Sequence, residues 1–279
     1  MADINNNDSG KAKLLKRVIN SVLILTLTGL IIFCFPNWVY LLLAIFLIGL
    51  GLNEFFSIVE ANGIVTYKYF GIIAGCLIPL AVYLHLGERY IDLEPLLIVI
   101  ACLFAFILQF TRREKSRDHI ISIGVTLLAL FYISWFFSFV IKIKFLPSGN
   151  FLIAFLILVT KSGDVAAYFV GRAFGKHNLI PRISPKKTVE GTAGALFTSI
   201  AVALLASGLI GISLKHALAL GVLLGIIGQV GDLAESLIKR DCGVKDSGGN
   251  LSGFGGVLDM IDSLLFTTPV FYFYIKMFL

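Results

Sequence analysis

Long apolar runs separated by short polar breaks set the pattern of the chain. A helix needs roughly 20 mostly apolar residues to cross about 30 Å of hydrocarbon. About nine stretches meet that measure, near residues 18–35, 37–58, 69–87, 95–110, 120–141, 151–170, 189–212, 215–236 and 257–278. All are predicted to be helical, because an open strand edge in lipid would leave backbone N–H and C=O groups unpaired. Pro36 and Asn37 leave room only for a short turn, so the first two spans form a tight hairpin. The fold class that follows is all-α, a polytopic integral membrane protein. The run from Val18 to Phe35 is too long for a signal-peptide core and has no small-residue cleavage pattern after it, so it is read as a retained first span. Residues 1–17 form a polar tail, Asn-rich from Met1 to Gly10 and expected to be disordered.

Composition supports this reading. The chain is 58% hydrophobic and 14% charged, with a mean hydropathy of +0.93. Soluble domains carry about 25% charged residues, and one fold of this size has no way to hide so much apolar surface from water. The net charge of +6 lies in short patches between the apolar runs, which argues against the basic face of a nucleic-acid binder. The patches instead order the topology. With the N-terminus cytoplasmic, the inside segments hold Lys11, Lys13, Lys16 and Arg17, then Lys68, then Arg112, Arg113, Lys115 and Arg117. Arg172, Lys176, Arg182, Lys186 and Lys187 follow, then Lys239, Arg240 and Lys245. The outside segments hold Arg89, Lys142, Lys144, Lys215 and Lys276. Cys34, Cys76 and Cys102 fall in apolar runs and Cys242 in a polar loop; no metal-type spacing links them, and no disulfide is predicted.

Spans one to five carry few internal charges, with Glu54 and Glu60 near a cytoplasmic end. Spans six, eight and nine differ. They hold Lys161 with Asp164, Asp232 with Glu235, and Asp259 with Asp262, each pair three residues apart and so on one helix face. An ionised group inside a span costs about 2.5–3.5 kcal/mol on insertion scales. Five carboxylates facing one lysine must protonate or bind cations, and clustered oxygen ligands suit Mg²⁺ first. Any single pair could also be a helix end reaching water. Two loops flank this cluster. Gly171 to Gly191 combines glycines, basic residues and hydroxyls ahead of a helix start, a mixture that suits phosphate or a positive-inside turn. Ser236 to Ser263 carries basic residues and a glycine run into the acidic face of span nine, where glycine lets backbone approach a ligand. Function is therefore expected within residues 155–265, with residues 18–150 as N-terminal transmembrane helices and 151–279 as a catalytic transmembrane region with cytoplasmic loops 171–190 and 239–256.

The run from Ser236 to Asp262 resembles the signature of the phosphatidate cytidylyltransferases, or CDP-diacylglycerol synthases: S-x-x-K-R-x(4)-K-D, a glycine-rich turn ending H-G-G, then D-R-x-D. Ser236, Lys239, Arg240, Lys245, Asp246, Gly255, Gly256, Asp259 and Asp262 match it in order and spacing. Upstream, Asp164, Gly171, Gly175-Lys176-His177, Ser184-Pro185-Lys186-Lys187-Thr188, Glu190-Gly191, Gly231-Asp232 and Glu235 also resemble the family, over about residues 155–270. Phe254 stands in place of the family's histidine and Met260 in place of its arginine.

The resemblance implies transfer of a cytidylyl group from CTP to phosphatidic acid, with in-line attack by the lipid phosphate on the α-phosphorus and release of pyrophosphate. It implies catalytic roles for Asp232, Glu235, Lys239, Asp246, Asp259 and Asp262, the five carboxylates among them forming or supporting a metal site for Mg²⁺, alone or with a second cation. It implies substrate-binding roles for Lys176, Ser184, Lys186, Lys187, Thr188, Ser236, Arg240, Lys245, Gly255 and Gly256, and secondary roles for Lys161 and Asp164. A homodimer in a bacterial inner membrane is expected. Three alternatives stay open: a cytidylyltransferase or kinase acting on an isoprenoid-type lipid, an ion-coupled carrier, and an inactive member that has lost His and Arg at positions 254 and 260.

Overall fold

The computed structural model describes residues 26–87, 93–111, 119–245, 247–248 and 255–279. Residues 26–34 are helical (α1) and turn sharply at Pro36 into α2 (Asn37–Ala61). There follow α3 (Lys68–Gly87), α4 (Leu93–Phe110), α5 (119–144, with a π-helical stretch at Leu130–Trp135), α6 (Gly149–Phe174), α7 (Val189–Ile210), α8 (Leu214–Asp241) and α9 (Val257–Phe278). Among the described residues seven helices, α2 to α8, are long and apolar enough to cross a bilayer. They coincide with the predicted spans to within a few residues. The count of nine exceeds this. Residues 18–25 of the first predicted span lie outside the described residues, as do the polar tail and the basic segment Arg112–Arg117, and α9 opens on the charged Asp259 and Asp262. Large side chains such as Tyr69, Phe197 and Leu205 stay exposed on the outer faces, as expected where lipid is the neighbour.

The core is built on α2. Ile48, Leu52, Phe55 and Phe56 are fully buried and share one cluster with Ile133, Phe137 and Ile141 of α5 and Leu258 and Leu265 of α9. The N-terminal helices therefore pack directly on the helix that carries the C-terminal acidic pair. Elsewhere small residues set the spacing of α8 and α9. A Cβ on Gly231 would lie 2.7 Å from the Asp262 carbonyl oxygen, so only glycine lets these two helices close at the level of their carboxylates.

The all-α expectation holds, with one small addition. The loop before α7 folds as a small antiparallel hairpin, β1 (Asn178–Ile180) on β2 (Ser184–Thr188), pairing Asn178 with Thr188 and Ile180 with Ser184. Cys242, expected in a loop, closes the C-terminus of α8 and is buried.

Contacts between loops sort them into two ends. At one end Asn62 Nδ2 donates to the Asp241 carbonyl (3.3 Å) and Arg240 Nε to the Ile183 carbonyl (3.1 Å). At the other, Lys144 Nζ donates to the Ile32 carbonyl and to Asn150 Oδ1, and His216 pairs with Tyr274 at 2.9 Å. This is the partition the basic residues predict, with Lys68, Lys187 and Lys239 at one end and Lys142, Lys144 and Lys215 at the other. A reporter enzyme that folds only outside the cytoplasm is expected to be active when fused at Gly211 and silent when fused at Lys245. The reverse pattern would invert the orientation.

Candidate functional site

Glycine at position 231 brings Asp232 and Glu235 of α8 against Asp262 of α9. One carboxylate oxygen from each lies within 4.8 Å of the others. Glu235 is 1% exposed and Asp262 6%, whereas the Asp232 side chain keeps 33% of its surface open toward the hairpin. Glu235 uses one oxygen for Lys239 Nζ (2.7 Å). Its other oxygen, Oε1, is buried with no hydrogen-bond partner. An anionic oxygen held this way is costly unless something positive meets it.

Lysines enter from three directions. Lys187 of β2 places Nζ 2.7 Å from Asp232 Oδ2, near enough for an ion pair but not aligned as a hydrogen bond. Lys239, one turn beyond Glu235, bridges Glu235 and Asp259. Lys161 of α6 lies 3.0 Å from Asp164 and 3.9 Å from Asp262, and donates to Ser263 Oγ at 2.7 Å; Ser263 donates in turn to Asp164 (2.8 Å). The sequence-level count of one lysine against five carboxylates is thus corrected. Three lysines reach the site, because the hairpin folds Lys187 inward and a helical turn brings Lys239 alongside Glu235. If all are ionised, the described groups carry two net negative charges, the complement of one divalent cation. The oxygen-only donor set and the unpartnered Glu235 oxygen both fit a hard ion such as Mg²⁺.

The predicted site residues do not all converge. Asp259 lies beside Glu235 but outside the trio: its Oδ1 meets Lys239, while Oδ2 accepts from the backbone N–H of Gly256 (2.7 Å) and Ser247 (3.4 Å), closing the start of α9. Arg240 is spent on the carbonyls of Ile183 and Val244, tying the hairpin to α8. Thr188 caps α7, its Oγ1 accepting from Gly191 N at 3.1 Å. Lys176, Lys186 and Lys245 are exposed around the mouth, and Ser184 and Ser236 are half-buried. Asp246 and Phe254 lie outside the described residues. Gly255 adopts a left-handed φ of 93° that brings its backbone against the Asp259 carboxylate, and a Cβ on Gly256 would collide with Ser247 and Glu54. The paired glycines therefore have a packing reason of their own.

Glu54 is the residue that sequence reading placed only near a helix end. The residue is 8% exposed, and its carboxylate accepts from Val257 N (2.9 Å), Leu258 N (2.8 Å) and Ser247 Oγ (3.3 Å). A carboxylate from the N-terminal half thus holds the first turn of the helix bearing Asp259 and Asp262, where unpaired N–H groups and the helix dipole favour negative charge. The signal available in the sequence was a lone acid in an apolar run.

A sequence profile of the cytidylyltransferase family matches residues 15–278. The chain belongs to the cytidylyltransferase family. It is 34% identical over 263 residues to the uncharacterized protein YnbB of Escherichia coli, covering 88% of this chain and 84% of that one. It is 39% identical over 175 residues to the phosphatidate cytidylyltransferase of Bacillus subtilis, covering 62% of this chain and 65% of the relative. Over 166 residues it is also 39% identical to the phosphatidate cytidylyltransferase of Staphylococcus saprophyticus, covering 59% and 63%. Just under two thirds of these enzymes' own length is spanned. Membership bears out the resemblance read from Ser236 to Asp262, and with the seven apolar helices it makes this cytidylyltransferase-family chain a multi-pass membrane protein of bacterial type.

Proposed function

We propose that the protein transfers the cytidylyl group of CTP to phosphatidic acid, giving CDP-diacylglycerol and pyrophosphate. The observation that carries this reading is the trio of half-buried Asp232 with buried Glu235 and Asp262 and its unpartnered Glu235 oxygen, ringed by lysines, in a chain related to phosphatidate cytidylyltransferases.

Asp232, Glu235 and Asp262 would hold a divalent cation, which supplies positive charge for the α-phosphate and for the departing pyrophosphate. Lys187 and Lys239 lie at the edge of the trio and are placed to share their ammonium protons between the carboxylates and an incoming phosphate. Lys161, Ser263 and Asp164 brace Asp262 from behind. Exposed Lys176, Lys186 and Lys245 make the approach to the site basic, which draws a triphosphate toward it. Arg240, Thr188, Asp259 and the paired glycines act by position, fixing the hairpin and the start of α9. Asp246, adjoining Lys245, is assigned to the support of the cation site by the resemblance. The lipid phosphate is itself the nucleophile, so no covalent enzyme intermediate is needed. The N-terminus lies in the cytoplasm in this reading, and the active form is a homodimer, checked by mass measurement in detergent.

The test is a purified-protein assay with labelled CTP, phosphatidic acid and Mg²⁺. One pyrophosphate per lipid nucleotide product is expected, abolished by EDTA and restored by added Mg²⁺. Release of a nucleoside diphosphate with phosphorylated lipid would replace this reading with a lipid kinase.

A further inference from the structure

Tyr132 is a polar group that the signature does not include and the proposed chemistry does not yet use. It is 4% exposed, and its hydroxyl is buried with no hydrogen-bond partner. It lies in the π-helical stretch of α5, Leu130–Trp135, where each turn takes in an extra residue and side chains are re-aimed; such stretches recur at functional sites. Its ring packs on Phe266 of α9 at 5.7 Å between centroids. Phe266 follows Asp262 by one helical turn and borders Gly231, the point where α8 and α9 close. The hydroxyl is near enough to Glu235, Asp262 and Asp232 for their charges to act on it. Two orphaned oxygens, Tyr132 Oη and Glu235 Oε1, therefore belong to one buried region without bonding each other.

Phenylalanine would fill the same space with no unpaired hydroxyl, so packing alone does not account for the oxygen. A phosphate would satisfy the tyrosine but repel the Glu235 oxygen, whereas a hydrated cation satisfies both. A phenol also adds an oxygen without adding charge, which suits a site that already holds two excess negative charges. We propose that Tyr132 contributes its hydroxyl to the oxygen shell of the cation held by Asp232, Glu235 and Asp262, on the ion or on one of its waters. The cation site is then completed by the N-terminal half of the chain. This inference rests on the reading of the trio as the cation site.

The experiment titrates Mn²⁺, followed by electron paramagnetic resonance, into the purified full chain as wild type, Tyr132→Phe and Asp262→Asn, with melting of each cation-free protein measured alongside. Tyr132→Phe is expected to raise the Mn²⁺ Kd about tenfold while the cation-free protein melts no lower than wild type. Asp262→Asn is expected to lose saturable binding. An unchanged Kd in Tyr132→Phe, with binding lost in Asp262→Asn, would overturn the role of Tyr132 alone. A lower melting temperature for cation-free Tyr132→Phe would also overturn it, making the hydroxyl a structural group. A wild-type protein that binds no Mn²⁺ overturns both readings.

Discussion

Asp262→Asn is expected to cut CTP-dependent lipid product by about a thousandfold while the protein still inserts and accumulates. The amide keeps the side-chain volume and removes one of three negative charges crowded within 4.8 Å, so the fold loses repulsion rather than support. Lys161 retains Asp164 at 3.0 Å when Asp262 is neutralised. Labelled-CTP assays on washed membranes, with an immunoblot for protein level, read both quantities; full activity would take Asp262 out of the cation site. Asp259→Asn makes the contrast. It removes a partner of Lys239 and weakens the closure of α9, so activity and stability should fall together rather than activity alone.

Glu54→Ala is expected to destabilise the protein by roughly 3 kcal/mol, since it leaves buried donors without a charged acceptor. Val257 N, Leu258 N and Ser247 Oγ all lose their partner at once. A melt of detergent-solubilised protein should shift down by several degrees, and activity should fall even at temperatures where the variant stays folded, because the first turn of α9 is no longer fixed. Glu54→Gln keeps one acceptor oxygen and should recover part of both losses. A Glu54→Ala protein with wild-type melting and activity would show that α9 needs no such anchor.

The helices were legible because lipid leaves so few alternatives: an apolar run of sufficient length has to satisfy its own backbone. The acidic pairs were legible for a related reason, since a charge inside a span is too costly to be incidental. Spacing alone did not separate their roles. Asp259 and Asp262 share a helix face, but Asp259 sits in the first turn of α9, where exposed backbone N–H groups compete for its oxygens, and Asp262 lies one turn deeper, beside Glu235. The hairpin was missed because Asn178–Ile180 and Ser184–Thr188 are too short and too polar to show strand alternation. Glu54 and Tyr132 were missed because a single polar residue in an apolar run reveals nothing of its partner until the helices are packed.

The anchoring of α9 by Glu54 bears on any attempt to recombine these proteins. A chimaera that takes its first five helices from one relative and its remaining helices from another would cut no bond within the signature, yet it would sever this contact unless both parents supply the acid and the glycines that make room for it. Splicing two working relatives at the α5–α6 junction should therefore yield inactive hybrids wherever position 54 and its partners Ser247, Gly248 and Gly256 come from mismatched lineages, and exchanging that one residue should revive them.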